Sequence, residues 1–207
     1  MNFLTFRLDT TPAEHARLCA LQAAFAEVCN YLAPVARDTR CWNRVALHHL
    51  AYRSLRERFP RVGSQMVCNA IYSVSRTCRI VYQSPDSPFN LARNPGAPLA
   101  LIRFGEQAPV YFDRHTLNLK SRRLSMFTLD GRMKFSAALS AETEERFKHD
   151  KLLEIMLFAR EHQFHLSFRF APSPEHHDAE QDSLPVGLPS YINVVASSQA
   201  APLRIHS

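Results

Sequence analysis

Phe3, Thr5 and Arg7 alternate with Leu4, Phe6 and Leu8, and this period of two predicts a short strand over residues 2–8. Thr11-Pro12-Ala13-Glu14 then supplies a hydroxyl cap, a proline at the first helical position and a glutamate able to reach back to the cap. Leu18, Leu21, Phe25, Val28, Leu32 and Val35 follow at helical spacing as one apolar stripe. A second helix is predicted over about residues 42–59, closed by Pro60, and a third over about 64–82 with Val67, Ile71, Val74, Cys78 and Val81 inward.

Pro85, Pro88, Pro95, Gly96 and Pro98 interrupt both kinds of pattern and mark a linker over 85–98. Beyond it the period changes to two. Residues 99–104 and 110–112 read as strands, and Leu124, Met126 and Thr128 lead into the hairpin signal Asp130-Gly131, with Met133, Phe135, Ala137 and Leu139 continuing after it. A short polar helix is predicted over 141–149, and 152–158 with 164–170 read as a hairpin. In the second of these strands Phe164, Leu166, Phe168 and Phe170 face opposite to His165, Ser167 and Arg169. An acidic, histidine- and proline-rich stretch over 172–185 reads as another linker, followed by a strand-like piece over 191–196. The predicted class is α+β: an antiparallel β-barrel formed by residues 1–10 and 99–171, with a three-helix lobe inserted over 11–84.

The 207 residues are 46% hydrophobic and 21% charged, enough for one sizeable core or two small lobes. The chain has no apolar run of the roughly 18 residues a membrane span needs and no secretory leader pattern, which suggests a cytoplasmic protein. Cys19, Cys29, Cys41, Cys68 and Cys78 have no close C-x-x-C spacing and read as reduced, mostly buried thiols. His48-His49, His162 with His165, and His176-His177 lack carboxylate or thiolate companions at ligand spacing, so no metal site is expected. Five glycines and no nucleophile elbow leave no basis for a phosphate-cradling loop or Ser/His/Asp catalysis.

A net charge of +6 favours a polyanionic partner. Arg37, Arg40, Arg44, Arg53, Arg56, Arg58 and Arg61 are opposed in their span only by Asp38 and Glu57. Such a cluster is either a solvated helix face or a phosphate track; the interleaved Trp42, Asn43 and Tyr52 add rings for stacking and an amide for base edges. Arg114, His115, Lys120, Arg122 and Arg123 form a second basic segment beside Tyr111, Phe112 and Phe127. There the choice is between strand-borne RNA contacts and a barrel rim whose aromatics belong to the core.

Four segments resemble the N-terminal part of TnpB (OrfB-type) transposon proteins, relatives of the type V CRISPR effectors. They are L-T-F-R-L-D with T-P-A-E and E-V-C-N-Y; R-E-R-F-P-R-V-G-S-Q-M-V-C-N-A-I; V-Y-F-D-R-H-T-L-N-L-K with L-S-M-F-T-L-D-G-R-M-K-F; and P-V-G-L-P-S-Y-I-N-V-V-A-S-S-Q-A-A-P-L-R-I. The last is similar to the family's first RuvC nuclease strands, with Pro189 where the family carries its first metal-binding aspartate. Proline supplies neither an anionic ligand nor a ladder amide. The chain reaches Ser207 without the later nuclease carboxylates or the cysteine zinc ribbon, so 186–207 would be a RuvC remnant and no cutting activity is expected.

The resemblance implies an oligonucleotide-binding-like wedge barrel and a helical recognition lobe that together hold a guide RNA and engage target double-stranded DNA. It places Trp42, Asn43, Ser64, Gln65, Cys68 and Asn69 at the DNA motif. Arg37, Arg40, Arg44, Arg53, Arg56, Arg114, Lys120, Arg122 and Arg123 would lie on nucleic-acid backbone, and Tyr111 and Phe112 against RNA bases. Guide RNA is the bound partner it implies in place of a cofactor. Three roles then stand open: DNA recognition by occupancy or by recruiting an effector, one subunit of a split nuclease, and a decayed transposase fragment.

Overall fold

A computed structural model describes residues 3–120, 123–136, 140–171 and 187–196. Four helices and nine strands follow one another along these residues: β1 Phe3–Arg7, α1 Pro12–Asp38, α2 Arg44–Arg58, α3 Ser64–Gln83, β2 Leu101–Phe104, β3 Val110–Phe112, β4 Leu117–Lys120, β5 Arg123–Thr128, β6 Gly131–Ser136, α4 Ala141–His149, β7 Leu152–Arg160, β8 Gln163–Phe170 and β9 Ile192–Val195. The class is α+β. The segments 121–122, 137–139, 172–186 and 197–207, and with them the expectations for Arg122, His176-His177 and most of the RuvC-like tail, lie outside the described residues.

The α1 cap forms as its residue types dictate. Thr11 Oγ1 accepts from the Glu14 amide, and the Glu14 carboxylate accepts from the Thr11 amide at 2.8 Å. Leu18, Leu21, Phe25, Val28 and Leu32 of α1 are buried, as are Val67, Ile71, Val74, Cys78 and Val81 of α3. These stripes belong to one continuous core that also takes in the inner faces of the strands. By length and composition alone α1 could cross a membrane; half of its most apolar window is buried inside the protein.

The strands form three antiparallel sheets, ordered β1-β8-β7-β3, β2-β9 and β4-β5-β6. None closes on itself, so the expected barrel is replaced, among the described residues, by open sheets. The four-stranded sheet ends at β1 on one side and at the three-residue β3 on the other. The β5–β6 loop also differs by one position from the expected Asp130-Gly131 centre. Thr128 pairs with Gly131, leaving Leu129 and Asp130 as the loop, with Gly131 at φ 91°. Positive φ there favours glycine.

The predicted linker over 85–98 is a tied loop. The Asn90 amide donates to the Ser84 carbonyl at 2.8 Å and its oxygen accepts from the Ala92 amide, while Ser87 is bonded to the Val81 carbonyl. Asn30 of α1 makes a tighter clamp: its Nδ2 donates to the Phe104 carbonyl at 2.8 Å and its Oδ1 accepts from the Phe104 amide at 2.7 Å. One side chain thereby satisfies both backbone groups of the last residue of β2.

Burial pushes the Cys29 and Cys78 thiols from the ordinary 9.0 up to about 12, slightly countered at Cys29 by Ser73. The folded chain therefore keeps these protons at pH values where the unfolded chain has lost them. Stability should fall as pH rises from about 9 toward 12, with a slope of up to about 1.4 kcal/mol per pH unit per thiol. Urea unfolding followed from neutral pH to about pH 10 is expected to show that decline. A Cys29→Ala/Cys78→Ala variant should have a flatter profile; an unchanged one would remove the thiols as its cause.

Candidate nucleic-acid interface

Burial decides which of the basic and aromatic candidates can meet a partner. Helix α2 packs through only three buried side chains, Leu47, Ala51 and Leu55, one turn apart. Its remaining surface carries Arg44, Arg53 and Arg58 into solvent. Asn43 is the helix cap, its side-chain oxygen accepting from the Val45 and Ala46 amides at 3.0 and 3.1 Å. Its acceptor is thus occupied by a structural task.

Arg44 at the start of α2 and Gln65 in the first turn of α3 line a cleft of about 400 Å³, together with Arg114, His115 and the β7 segment that includes Leu153 and Glu154. Arg44 lies over the Tyr72 ring, 5.3 Å from its centroid. Cys68 is half-buried beside Arg44, Asp113 and Arg56; burial is the main cause of its raised pKa, so it stays a neutral thiol. The Asp113 carboxylate in this cleft is engaged by its own turn: Oδ1 accepts from the His115 and Thr116 amides at 3.0 Å, and Oδ2 accepts from Gln65 Nε2. That leaves Gln65 with only its carbonyl oxygen free of Asp113, and leaves Arg114 exposed at the rim.

Other candidates fall elsewhere. Arg37 is half-buried and bonded to Asp38 at 2.7 Å; Arg40, exposed with φ 51°, follows the end of α1. Arg53 is 94% exposed and pairs with Glu57, a contact of little energetic weight. Arg56 donates to the Val62 carbonyl and ties the end of α2 to the following turn. Ser64 is exposed as the first residue of α3.

Four placements correct the expectations. Tyr111 and Phe112 are 3% and 5% exposed, so neither ring offers a face to a base. β3 is buried on both sides, and alternation cannot reveal exposure in a strand of three residues. Asn69 is buried and donates to Thr116 Oγ1 at 3.3 Å, so it faces the core and reads no DNA. Trp42 is half-buried against Tyr82, ring centroids 5.2 Å apart, with its carbonyl accepting from Ser75 at 2.6 Å. Its ring packs on α3.

Lys120 and Arg123 lie on the three-stranded sheet, directly paired across β4 and β5. The exposed ring on the same face, two rows away, is Phe127, which pairs with Arg132; Lys134 lies two positions farther along β6. Arg132 and Lys134 were missed as site residues, although the alternation of Arg132, Lys134 and Ser136 with Met133 and Phe135 was a readable signal. Among the described residues no three His, Cys, Asp or Glu side chains are grouped to hold a metal ion. No protein-family model matches the chain, and no curated protein matches it.

Proposed function

We propose that the chain binds nucleic acid as a guide-RNA-binding, DNA-engaging protein similar to the front half of TnpB-like systems, acting in the cytoplasm by occupancy or by recruiting a partner. The observation that carries this reading is the convergence of Arg44, Gln65 and Arg114 on one cleft from distant stretches of the chain. Exposed guanidinium groups around a polar side chain form a phosphate-binding rim with one group able to meet a base edge. Asp113, which would repel phosphate, has its charge spread over the turn and Gln65. In this reading the helices serve as the recognition element and the sheets as the wedge. Pro189, where the resemblance puts the first nuclease carboxylate, makes the chain a non-cutting component.

The test is to express the chain together with the DNA that flanks its gene, purify it and sequence the RNA that comes with it. A single discrete RNA encoded beside the gene is the expected result. Folded protein carrying only random RNA would end the guide-RNA reading. With the RNA in hand, Arg44→Ala/Arg114→Ala is expected to lower the slope of log affinity for duplex DNA against log salt by about 1.8, the loss of two phosphate contacts.

A further inference from the structure

The sheet β4-β5-β6 has two unlike faces. Leu117, Leu124, Met126, Met133 and Phe135 are buried on one. The other presents Lys120, Arg123, Arg132 and Lys134 with Asn118, Ser125, Ser136 and the 40%-exposed Phe127. The three strands contain no Asp or Glu. None of Lys120, Arg123 and Lys134 has an ion-pair partner among the described residues, so this face holds unneutralised positive charge.

Register organises that charge into rows. Lys120 pairs with Arg123 and Arg123 with Ser136; Asn118 pairs with Ser125 and Ser125 with Lys134; Phe127 pairs with Arg132. The last row differs from the others. Arg132 lies over the Phe127 ring, 4.1 Å from its centroid. Its guanidinium is fixed by donation to Ser125 Oγ at 3.1 Å, the Ser125 carbonyl at 3.3 Å and the His115 carbonyl at 3.1 Å. A guanidinium whose donors are spent on the protein offers its flat face more than its charge-assisted hydrogen bonds. Phe127 and Arg132 thus form a rigid stacking step at one end of a field of free cations.

We propose that this sheet face binds a single-stranded nucleic acid, with bases stacked on the Phe127–Arg132 step and phosphates held by Lys120, Arg123 and Lys134. A duplex keeps its bases stacked on one another and cannot use the step; a single strand can. The proposal deepens the nucleic-acid reading by assigning a second surface. The two surfaces adjoin at His115, whose carbonyl holds Arg132 while the residue also lines the Arg44–Arg114 cleft. A strand on the sheet therefore leads toward that cleft.

The experiment titrates the full chain against a fluorescein-labelled mixed-sequence RNA of about 12 nucleotides, the DNA of the same sequence and the corresponding duplex, by anisotropy at several salt concentrations. Phe127→Ala is expected to weaken single-strand binding by about tenfold while changing duplex binding little. Lys120→Gln/Lys134→Gln should lower the single-strand salt slope by about 1.4. Phe127→Trp should retain affinity, and its added indole should be quenched by the bound strand; the native chain has one tryptophan, Trp42, so wild type supplies the background. RNA and DNA arms distinguish a guide from a displaced DNA strand, and preference for either supports the proposal.

Single-strand binding unchanged in both sheet variants but lost in Arg44→Ala/Arg114→Ala overturns the sheet proposal and leaves the cleft reading standing. Equal losses for single strand and duplex in Phe127→Ala overturn it as well, since they would mark a charge patch without stacking. A wild-type chain that binds none of the three ligands overturns both. The altered positions are all exposed, Phe127 at 40%, and thermal melts of each variant guard against misfolding.

Discussion

Glu154→Ala is expected to cost about 3–5 kcal/mol of folding stability, the largest effect of any single change considered. The Glu154 side chain is 7% exposed and lies between two cations, Arg76 Nε at 3.4 Å and Arg169 Nε at 3.9 Å. The Tyr72 hydroxyl also donates to it at 2.8 Å. Alanine removes the only carboxylate paired with these groups among the described residues and leaves two guanidiniums, 19% and 26% exposed, facing each other across a buried space. Burial is already costly there: it pushes the Tyr72 hydroxyl up to about 12 and Tyr111 well above its ordinary value. Charge removal in both partners separates the causes. Glu154→Leu/Arg76→Met should lose much less than Glu154→Ala, because it strands one charge fewer and refills the volume. Urea unfolding of wild type, single and double variants decides it; a double variant as weak as the sum of its parts would show that packing, and not the stranded charge, sets the cost.

Asn30→Ala is expected to lose about 2–3 kcal/mol, because the amide and carbonyl of Phe104 both lose their partner in a partly buried position. Asn30→Asp gives a signature that a simple packing role would not. Its carboxylate can still accept from the Phe104 amide but opposes the Phe104 carbonyl, which favours the protonated form in the folded state. The folded-state pKa is thereby raised, so stability contributed by this group is present at low pH and is lost as pH rises through that pKa. Thermal melts of the variant should move down in temperature between acid and neutral pH relative to wild type. Absence of such a relative shift would mean that the clamp is not what secures β2. The E-V-C-N-Y segment, read first as a family resemblance, thus has a local structural purpose in this chain.

Helices were the most legible part of the sequence because their signals are local. The Thr11–Glu14 cap opens α1, the apolar period of α3 holds from Ser64, and the short polar helix over 141–149 forms as α4. β4 was missed: Leu117-Asn118-Leu119-Lys120 does alternate, but it spans four residues and directly follows the Asp113–Thr116 turn. Among the described residues the sheets stay open, for a different reason. A period of two identifies a strand and its buried face, yet says nothing of which strand lies beside it, and here β1 pairs with β8 and β2 with β9. At the candidate site, residue type found the charges and residue pattern lost the aromatics. Arg44, Gln65 and Arg114 do share a cleft, whereas of the three rings Tyr111, Phe112 and Phe127 only Phe127 is exposed. The one-residue difference in the β5–β6 loop is what sets Phe127 opposite Arg132.

The pairing of β1 with β8 has a consequence for synthesis. Phe3 finds its partner only when Arg169 exists, and Phe6 waits for Leu166. While a ribosome makes the intervening chain, α1, α2 and α3 can dock through nearby contacts, but the opening strand remains an unpaired edge with apolar side chains. Stalling or premature termination before β8 would therefore release a species whose helices are formed and whose first strand is available to another chain, and aggregation should concentrate in such truncated products. Translation through Phe170 is the step that removes that hazard, by giving β1 its intended neighbour.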